Sequence, residues 1–235
     1  MPTVLVFDVD RLSEADTDRL HRVAPAERRA RADRFHFAAD RRRCLAAGAL
    51  LRHALLTRHG LTPGDLDTAR DAYGKPYLVR VPDLHFSLSH AGRWVACGTS
   101  GTEIGVDIEH TDAGAVDISH RFAPDEHAYV AAAPADRRAR RLVRIWTLKE
   151  SYVKYLGRGL SVPMDSFSVR APDRRPRILR GTLDPRPRLE QVPHGDDYWL
   201  AACSREDTGI SVVEPTRKDL LAASDLPGRL RPRLA

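Results

Sequence analysis

Two long helices and several short strands are predicted by the spacing of apolar residues along the chain. A helix over residues 39–58 is indicated by apolar side chains that recur near every third or fourth position. A second helical pattern covers residues 136–156 and stops at Gly157, because glycine commonly ends a helix. Short apolar runs predict strands. These strands cover residues 4–9, 84–88, 94–99, 104–108, 167–169, 178–179, 198–203 and 210–213.

Shorter elements are expected between these segments. Pro25 and Glu27 lie near a predicted helix start, and a basic helical run continues from there to Phe35. The tripeptide Gly74-Lys75-Pro76 predicts a turn. Residues 111–135 are expected to form a loop with short helical turns.

The two parts of the chain resemble each other weakly. Each has a long predicted helix followed by a strand with a similar signature, which runs Trp94-Val95-Ala96-Cys97 in the first part and Trp199-Leu200-Ala201-Ala202-Cys203 in the second. This echo raises the possibility of an α+β protein built from two related halves, with a boundary that places residues 1–102 in one half and 103–235 in the other. The cleft between such halves is a natural ligand site.

Composition narrows the class of protein. Of 235 residues, 42% are hydrophobic and 30% are charged, as in an ordinary globular protein. No apolar stretch is long enough to span a bilayer, the first residues lack the features of a signal peptide, and the three cysteines lie far apart, so we expect a cytoplasmic protein. The net charge of +6 fits an anionic partner, which leaves nucleic acid, a phosphorylated small molecule and an acidic protein open.

Two carboxylates alternate along the predicted strand Gly105-Val106-Asp107-Ile108-Glu109. Residues two apart on a strand point to the same face, so Asp107 and Glu109 are expected to lie side by side. Hard oxygen ligands of this kind suit Mg²⁺, which also keeps water and substrate phosphates in its shell. The alternative is a surface strand that carries two solvated acids.

A second group of polar residues lies on the predicted helix over 136–156. Trp146, Glu150 and Lys154 are spaced four apart and therefore share one face. Glu150 could bind a metal or act as a base, with Lys154 one turn further on, near a phosphate leaving group. The alternative is a core tryptophan followed by a solvated Glu–Lys pair.

Three further segments could bind an anion. His90 follows Ser87 and Ser89 at a predicted strand end, and Lys75 is held in a turn. The alternative is a structural or surface histidine at position 90 and an ordinary turn at 74–76. The third segment is the basic stretch, which could be a solvated helix face or an anion-binding patch. Its members are Arg28, Arg29, Arg31, Arg34, Arg41, Arg42 and Arg43.

Taken together and in this order, the motifs resemble those of the 4'-phosphopantetheinyl transferases, specifically the monomeric, surfactin-synthetase-activating (Sfp-like) class. The segments that carry the resemblance are GKP (74–76), FSLSHAGRWVACG (86–98), IGVDIEH (104–110) and WTLKESYVKYLGRGLSVPMDSFSV (146–169). The resemblance implies the fold of that superfamily, a pseudo-twofold pair of similar α/β halves with coenzyme A in the cleft between them. It extends from about residue 25 to about residue 169.

The resemblance also implies roles for individual residues. Mg²⁺ is expected to be held by Asp107, Glu109 and Glu150 together with the pyrophosphate of coenzyme A. The catalytic residues would be Asp107, Glu150 and Lys154, with Glu150 taking the proton of the carrier serine and Lys154 neutralising or protonating the leaving group. The residues expected to bind coenzyme A are Arg28, Arg31, Arg43, Lys75, Ser89, His90 and Lys154. The run of three arginines at 41–43 leaves the choice among neighbours open, and the acidic Glu126 matches a position of unassigned role.

The implied reaction transfers the 4'-phosphopantetheine arm of coenzyme A to a serine of an apo acyl or peptidyl carrier protein, of the kind found in polyketide and nonribosomal peptide synthases. The products are holo carrier protein and adenosine 3',5'-bisphosphate. The two fused halves imply a monomer. Two other functions are compatible with parts of the pattern. A basic nucleic-acid-binding module would use Arg28 to Arg43 and leave the carboxylates without a purpose, and another Mg²⁺-dependent phosphotransferase could act on a small molecule.

Overall fold

The first part of the chain contributes three strands to a four-stranded sheet, forms a separate two-stranded sheet from residues 68–70 and 76–78, and packs its helices on these strands. The structure, a computed structural model, describes residues 2–112, 118, 121–170, 176–181, 183–184, 186–206 and 209–225. The elements of the first part are β1 (Thr3–Asp8), α1 (Glu14–Val23), α2 (Ala26–Ala32), α3 (Ala38–Arg58), β2 (Thr68–Arg70), β3 (Pro76–Leu78), β4 (His85–Ala91) and β5 (Trp94–Ser100).

The second part repeats the plan of one long helix beside a small sheet. Its elements are β6 (Ile104–His110), α4 (Pro124–Ala131), α5 (Ala135–Leu156), β7 (Ser168–Arg170), β8 (Arg177–Arg180), β9 (Arg188–His194), β10 (Tyr198–Ser204), β11 (Ser211–Val213) and α6 (Arg217–Asp225). α5 ends at Gly157, whose left-handed φ of 69° stops the helix as predicted.

The two halves have the same topology. In the first half β5 lies between β1 and β4 and is antiparallel to both. In the second half β10 lies between β6 and β9 in the same antiparallel arrangement. α3 corresponds to α5, and the tryptophan-to-cysteine echo lies on the two equivalent central strands, β5 and β10. The predicted α+β fold with two similar halves is confirmed.

The core is layered because successive side chains of each strand point to opposite faces of its sheet. Leu5 and Phe7 of β1 point toward α3, whereas Val4 and Val6 point toward the other sheet. Val106 of β6 meets that second face, so an apolar layer joins the two sheets. A separate apolar cluster fills the space between α5 and the sheet of the second half. The layers therefore run helix, sheet, sheet, helix.

The two halves meet where β4 lies alongside β6. Side chains take the place of a backbone ladder at this junction. The backbone N–H of Val106 donates to Oγ of Ser87 at 3.0 Å, and that of Ile108 donates to Oγ of Ser89 at 3.4 Å. These bonds set the position of β6, and hence of its acidic face, relative to the first half.

The last described elements pack on the first half. β11 pairs in parallel with β1, with Ser211 opposite Thr3. α6 lies against α1 and α3, and Arg217 at its start donates to both carboxylate oxygens of Asp16, at 2.6 and 2.8 Å. Residues 226–235 of the predicted second half lie outside the described part of the chain.

Several elements differ from the sequence-based expectation. The interval 111–135 was expected to hold only short helical turns, but it contains the eight-residue helix α4; residues 113–117 and 119–120 lie outside the described ranges. The pattern of apolar residues also did not predict α1, β2, β3, β9 and α6. In the described part of the chain, no helix combines the length and apolarity that a bilayer crossing requires.

Candidate active site

A cleft of about 930 Å³ opens where the two halves meet. Its volume lies near the upper end of the roughly 300–1,000 Å³ range of small-molecule sites. One wall comes from α2, α3, β4 and the turn before β3, and the other comes from β6, α5 and the segment after α5. The predicted site residues that line it are Arg28, Arg31, Lys75, Ser89, His90, Asp107, Glu109, Glu150 and Lys154.

The acidic wall is formed by the close approach of β6 and α5. A side chain at Gly105 would place its Cβ 2.0 Å from the carbonyl oxygen of Ser151, so only glycine lets the helix come this near. Asp107 and Glu109 follow on the same face of the strand. Along the helix, Trp146 lines the cleft beside Glu109, and its side chain favours the ionised form of that carboxyl. The two predicted motifs therefore meet face to face.

Three groups converge at the centre of the cleft. Nζ of Lys154 donates to Oδ1 of Asp107 at 2.6 Å and to Oγ of Ser89 at 3.0 Å. Oγ of Ser89 in turn donates to the same Oδ1 at 2.7 Å. Asp107 is 2% exposed, so its negative charge is stabilised mainly by this lysine and serine. The triad contains one residue from each of β4, β6 and α5.

The other two carboxyl groups of this wall, Glu109 and Glu150, are destabilised in their ionised form. Burial and the negative charge of Asp107 raise the pKa of Glu109 to about 8, although Lys154 opposes the shift. Burial and Asp107 likewise raise the pKa of Glu150, against the attraction of Lys154 and Arg121. Arg121 lines the cleft and was not among the predicted residues. An added cation in this place would relieve the repulsion among the three carboxylates.

Asp107 provides a direct indication of a place for a cation. Its Oδ2 is buried and has no hydrogen-bond partner, which is costly for an ionised oxygen. In the described ranges, no three Asp, Glu, His or Cys side chains stand close enough to enclose an ion as they are placed. The carboxylate oxygens of Asp107, Glu109 and Glu150 are the type of ligand that a hard cation prefers. As placed, these side chains do not provide a complete set of ligands.

The opposite wall is basic. Arg28 donates from Nη1 to the carbonyl oxygen of Cys44 at 3.1 Å, and Arg31 lies one turn further along α2. Nζ of Lys75 donates to the carbonyl oxygen of Tyr155 at 3.0 Å and forms an ion pair with Glu103. His90 and Arg70 also line this wall of the cleft.

His90 lies at the end of β4 among positive charges. The imidazole is solvent-exposed at the cleft, but desolvation by the surrounding residues and the charges of Arg43, Lys154 and Arg31 lower its pKa. Its imidazole is therefore neutral near neutral pH, and an anion bound beside it would favour the protonated form.

Arg43 is the one predicted coenzyme A residue that does not line the cleft. Its guanidinium donates to Oδ1 of Asp40 at 2.5 Å and to the carbonyl oxygen of Gly92 at 2.8 Å. The second of these hydrogen bonds connects α3 to the turn between β4 and β5. It acts on the cleft through its charge near His90.

Comparison with known proteins decides the family. A family model described as the 4'-phosphopantetheinyl transferase superfamily matches residues 103–203, and one described as the N-terminal part of 4'-phosphopantetheinyl transferase matches residues 12–102. A 4'-phosphopantetheinyl transferase of Bacillus subtilis is 39% identical over 163 residues, which are 69% of this chain and 73% of the relative. The chain belongs to the 4'-phosphopantetheinyl transferase superfamily.

Other relatives of this transferase extend the match. The 4'-phosphopantetheinyl transferase Sfp of Bacillus subtilis strain 168 is 36% identical over 160 residues, 68% of this chain and 71% of the relative. The 4'-phosphopantetheinyl transferase psf-1 of Bacillus pumilus is 30% identical over 207 residues, 87% of this chain and 89% of the relative. The prediction of an Sfp-like transferase is confirmed.

A buried ion pair between Lys149 and Glu126 lies outside the cleft and anchors α5, the helix that carries Glu150. Nζ of Lys149, with no exposed surface, donates to both carboxylate oxygens of Glu126 at 2.6 and 2.8 Å and to the carbonyl oxygen of Phe167 at 2.6 Å. Glu126 also accepts from the backbone N–H groups of Ala123 and Val169. Glu126 therefore ties α4 and β7 to α5 and does not line the cleft. The sequence pattern predicts no individual role for Lys149.

Proposed function

We propose that this transferase moves the 4'-phosphopantetheine arm of coenzyme A onto a serine hydroxyl of an apo acyl or peptidyl carrier protein, with Mg²⁺ as the metal. The observation that supports this most directly is that one wall of the cleft is basic and the opposite wall is acidic. Arginine, lysine and histidine side chains lie on one wall, and three carboxylates with Lys154 lie on the other. A ligand that carries several phosphates and a metal ion matches both walls.

The basic wall would hold the nucleotide part of coenzyme A. Arg28, Arg31 and His90 are the candidates for the 3'-phosphate, because arginine can engage a phosphate with two parallel hydrogen bonds. Lys75 and Ser89 lie toward the acidic wall and would contact the remaining phosphates. Arg43 donates one hydrogen bond each to Asp40 and Gly92, so it would offer the ligand its remaining N–H groups and its charge near His90.

The acidic wall would carry out the transfer. Asp107, Glu109 and Glu150 would hold Mg²⁺, which supplies charge neutralisation on the pyrophosphate oxygens when it is bound. The shell would be completed by phosphate oxygens and water, as is usual for this ion. The free Oδ2 of Asp107 supports its place in this set.

The bond changes follow from the reactants. The carrier serine oxygen attacks the phosphorus that bears the pantetheine arm, and the bond from this phosphorus to the bridging oxygen breaks. Adenosine 3',5'-bisphosphate leaves with the electron pair. Glu150, whose pKa is raised by burial and by Asp107, would accept the serine proton directly or through water. Lys154 would neutralise the leaving group.

The wider assignments belong to the same proposal. The carrier domains would be those of polyketide or nonribosomal peptide synthases, and the protein would act in the cytoplasm as a monomer, since its two halves already form a complete cleft. The halves would divide at residues 102 and 103. Nucleic acid is a weaker candidate ligand, because the carboxylates of the acidic wall repel a phosphate backbone.

Mass spectrometry of a carrier protein tests the proposed reaction. The protein is incubated with coenzyme A, an apo peptidyl carrier domain and Mg²⁺, and the carrier should gain the mass of one phosphopantetheine. A carrier variant with alanine at the acceptor serine should gain nothing, and omission of Mg²⁺ should stop the reaction. An unmodified wild-type carrier under these conditions would refute the proposal.

A further inference from the structure

Gly48 occupies an unexpected position in α3. It lies in the interior of a 21-residue helix, among Ala46, Ala47 and Ala49. Glycine is the least favourable residue after proline in such a place, whereas alanine is the best. The sequence around it would therefore favour alanine at position 48 unless a side chain were excluded there.

The neighbour that excludes a side chain is Arg28. A Cβ built on Gly48 would lie 2.3 Å from Cδ and 2.6 Å from Nε of Arg28. The middle of the arginine side chain therefore crosses α3 directly over the bare backbone of Gly48. The atoms that would clash belong to a flexible side chain, so alanine at this position would move Arg28 and leave the helix intact.

The guanidinium beyond this crossing reaches the cleft. Nη1 donates to the carbonyl oxygen of Cys44, one helical turn before Gly48, and Arg28 lines the cleft. Burial lowers the pKa of Arg28, but a guanidinium remains charged at physiological pH. Among the described residues, the guanidinium contacts both the carbonyl oxygen and the side chain of Cys44. The other guanidinium N–H groups are available to an anion.

We propose that Gly48 is a positioning residue that determines specificity for the 3'-phosphate: its missing side chain provides the space through which Arg28 reaches that phosphate of coenzyme A. The inference rests on the proposed function in one respect, the assignment of the ligand. The contact between Gly48 and Arg28 does not depend on that assignment. The two parts can therefore be tested separately.

The contact is tested without any ligand, in a double-mutant cycle of thermal unfolding with Gly48→Ala, Arg28→Ala and the double variant. In the Arg28→Ala background, Gly48→Ala should raise Tm by about 2–4 °C, because alanine stabilises a helix interior. In the wild-type background the gain should be smaller, because Arg28 must move. Equal gains in both backgrounds would show that the two residues do not interact and would overturn the inference.

The consequence for specificity is tested by calorimetric binding of two nucleotides, adenosine 3',5'-bisphosphate and adenosine 5'-monophosphate. The wild type should prefer the bisphosphate by about tenfold or more, from one charge-assisted contact. Gly48→Ala should shrink this preference as much as Arg28→Ala does, and the double variant should show no further loss. Affinity for the monophosphate should change little. Gly101→Ala is the matched control, because no atom lies within 4 Å of a Cβ at Gly101.

Each result has a distinct meaning. A Gly48→Ala variant that keeps the wild-type preference overturns the positioning role, even where the carrier protein is modified normally. Loss of affinity for both nucleotides by the same factor also overturns it, because the substitution then acts on the whole cleft. A wild type that modifies no carrier refutes the proposed function, while a coupled stability cycle would still establish the contact between Gly48 and Arg28.

Discussion

Lys154 and Asp107 are joined by a hydrogen bond of 2.6 Å from Nζ to Oδ1, and Ser89 donates to the same oxygen. The arrangement leaves Oδ2 of Asp107 buried and without a partner. One oxygen of the carboxylate thus orients the lysine while the other is free for a further cation. This relationship links the two motifs that the sequence places 47 residues apart and leads to separate predictions for the two residues.

Asp107→Ala should lower kcat/KM by at least about 100-fold at a fixed Mg²⁺ concentration, because loss of one ligand misplaces the pyrophosphate. The measurement is a Mg²⁺ titration of carrier modification by the wild type and the variant. Asp18→Ala, at an exposed position on α1, is the control and should match the wild type. Near wild-type activity of Asp107→Ala across the titration would show that the metal assignment is wrong.

Lys154→Ala should lower kcat more than it raises KM for coenzyme A. Negative charge on the leaving phosphate grows toward the transition state, so the lysine matters most there. One charge-assisted contact corresponds to a loss of roughly 10- to 100-fold. Steady-state kinetics with saturating carrier protein measure both constants, and Lys218→Ala on the exposed face of α6 is the control. An unchanged kcat with a raised KM would make Lys154 a ground-state binding residue.

Glu126 and Lys149 should govern stability. Removal of either partner leaves a buried charge uncompensated, so Glu126→Ala or Lys149→Ala should each lower the free energy of unfolding by about 3–5 kcal/mol. The double variant Glu126→Gln with Lys149→Met should recover part of that loss, because it removes both charges and keeps the volume. Urea denaturation measures these differences. Single variants as stable as the wild type would contradict the burial and bonding of this pair.

The elements that the sequence predicts well are those with strong periodicity. α3 and α5 begin within one residue of the predicted positions and end where predicted, because their apolar residues recur regularly and Gly157 marks the second end. The apolar pattern does not predict α1, although Ser13 and Asp16 form a capping box at its start. β9 carries mixed polar residues and Pro193 at the edge of its sheet, so alternation gives no clear signal there.

The site is predictable to the extent that its residues share a motif. Asp107 and Glu109, as well as Glu150 and Lys154, are brought together because each pair shares one face of an element. Arg43 shows the limit, since a run of three arginines does not reveal which side chain is held by Asp40. The pairing of Glu126 with Lys149 depends on packing between α4 and α5, which local spacing cannot show. Gly48 stands out only once Arg28 is seen to cross it.

The last prediction concerns the pH dependence of 3'-phosphate recognition. Desolvation by the surrounding cleft and the charges of Arg43, Lys154 and Arg31 lower the pKa of His90, so the free protein holds its imidazole neutral near pH 7. A bound dianionic phosphate favours the imidazolium and raises that pKa. Binding of coenzyme A should therefore take up a proton, and the preference for coenzyme A over dephospho-coenzyme A should grow as the pH falls from 8 toward 6.

The increase in this preference must be separated from protonation of the 3'-phosphate itself. The second pKa of a phosphate is about 6, so its protonation weakens binding at low pH. The measurement is therefore the ratio of kcat/KM values for the two substrates at pH 8, 7 and 6 in the wild type and three variants, at fixed salt. His90→Ala should lose the rise seen in the wild type and retain only the decline due to the phosphate. Arg31→Ala should lower the ratio at every pH, by roughly tenfold. His127→Ala, on the exposed face of α4, should reproduce the wild-type profile. A His90→Ala variant with the wild-type profile would show that another group takes up the proton, because the imidazole then does not contact the 3'-phosphate.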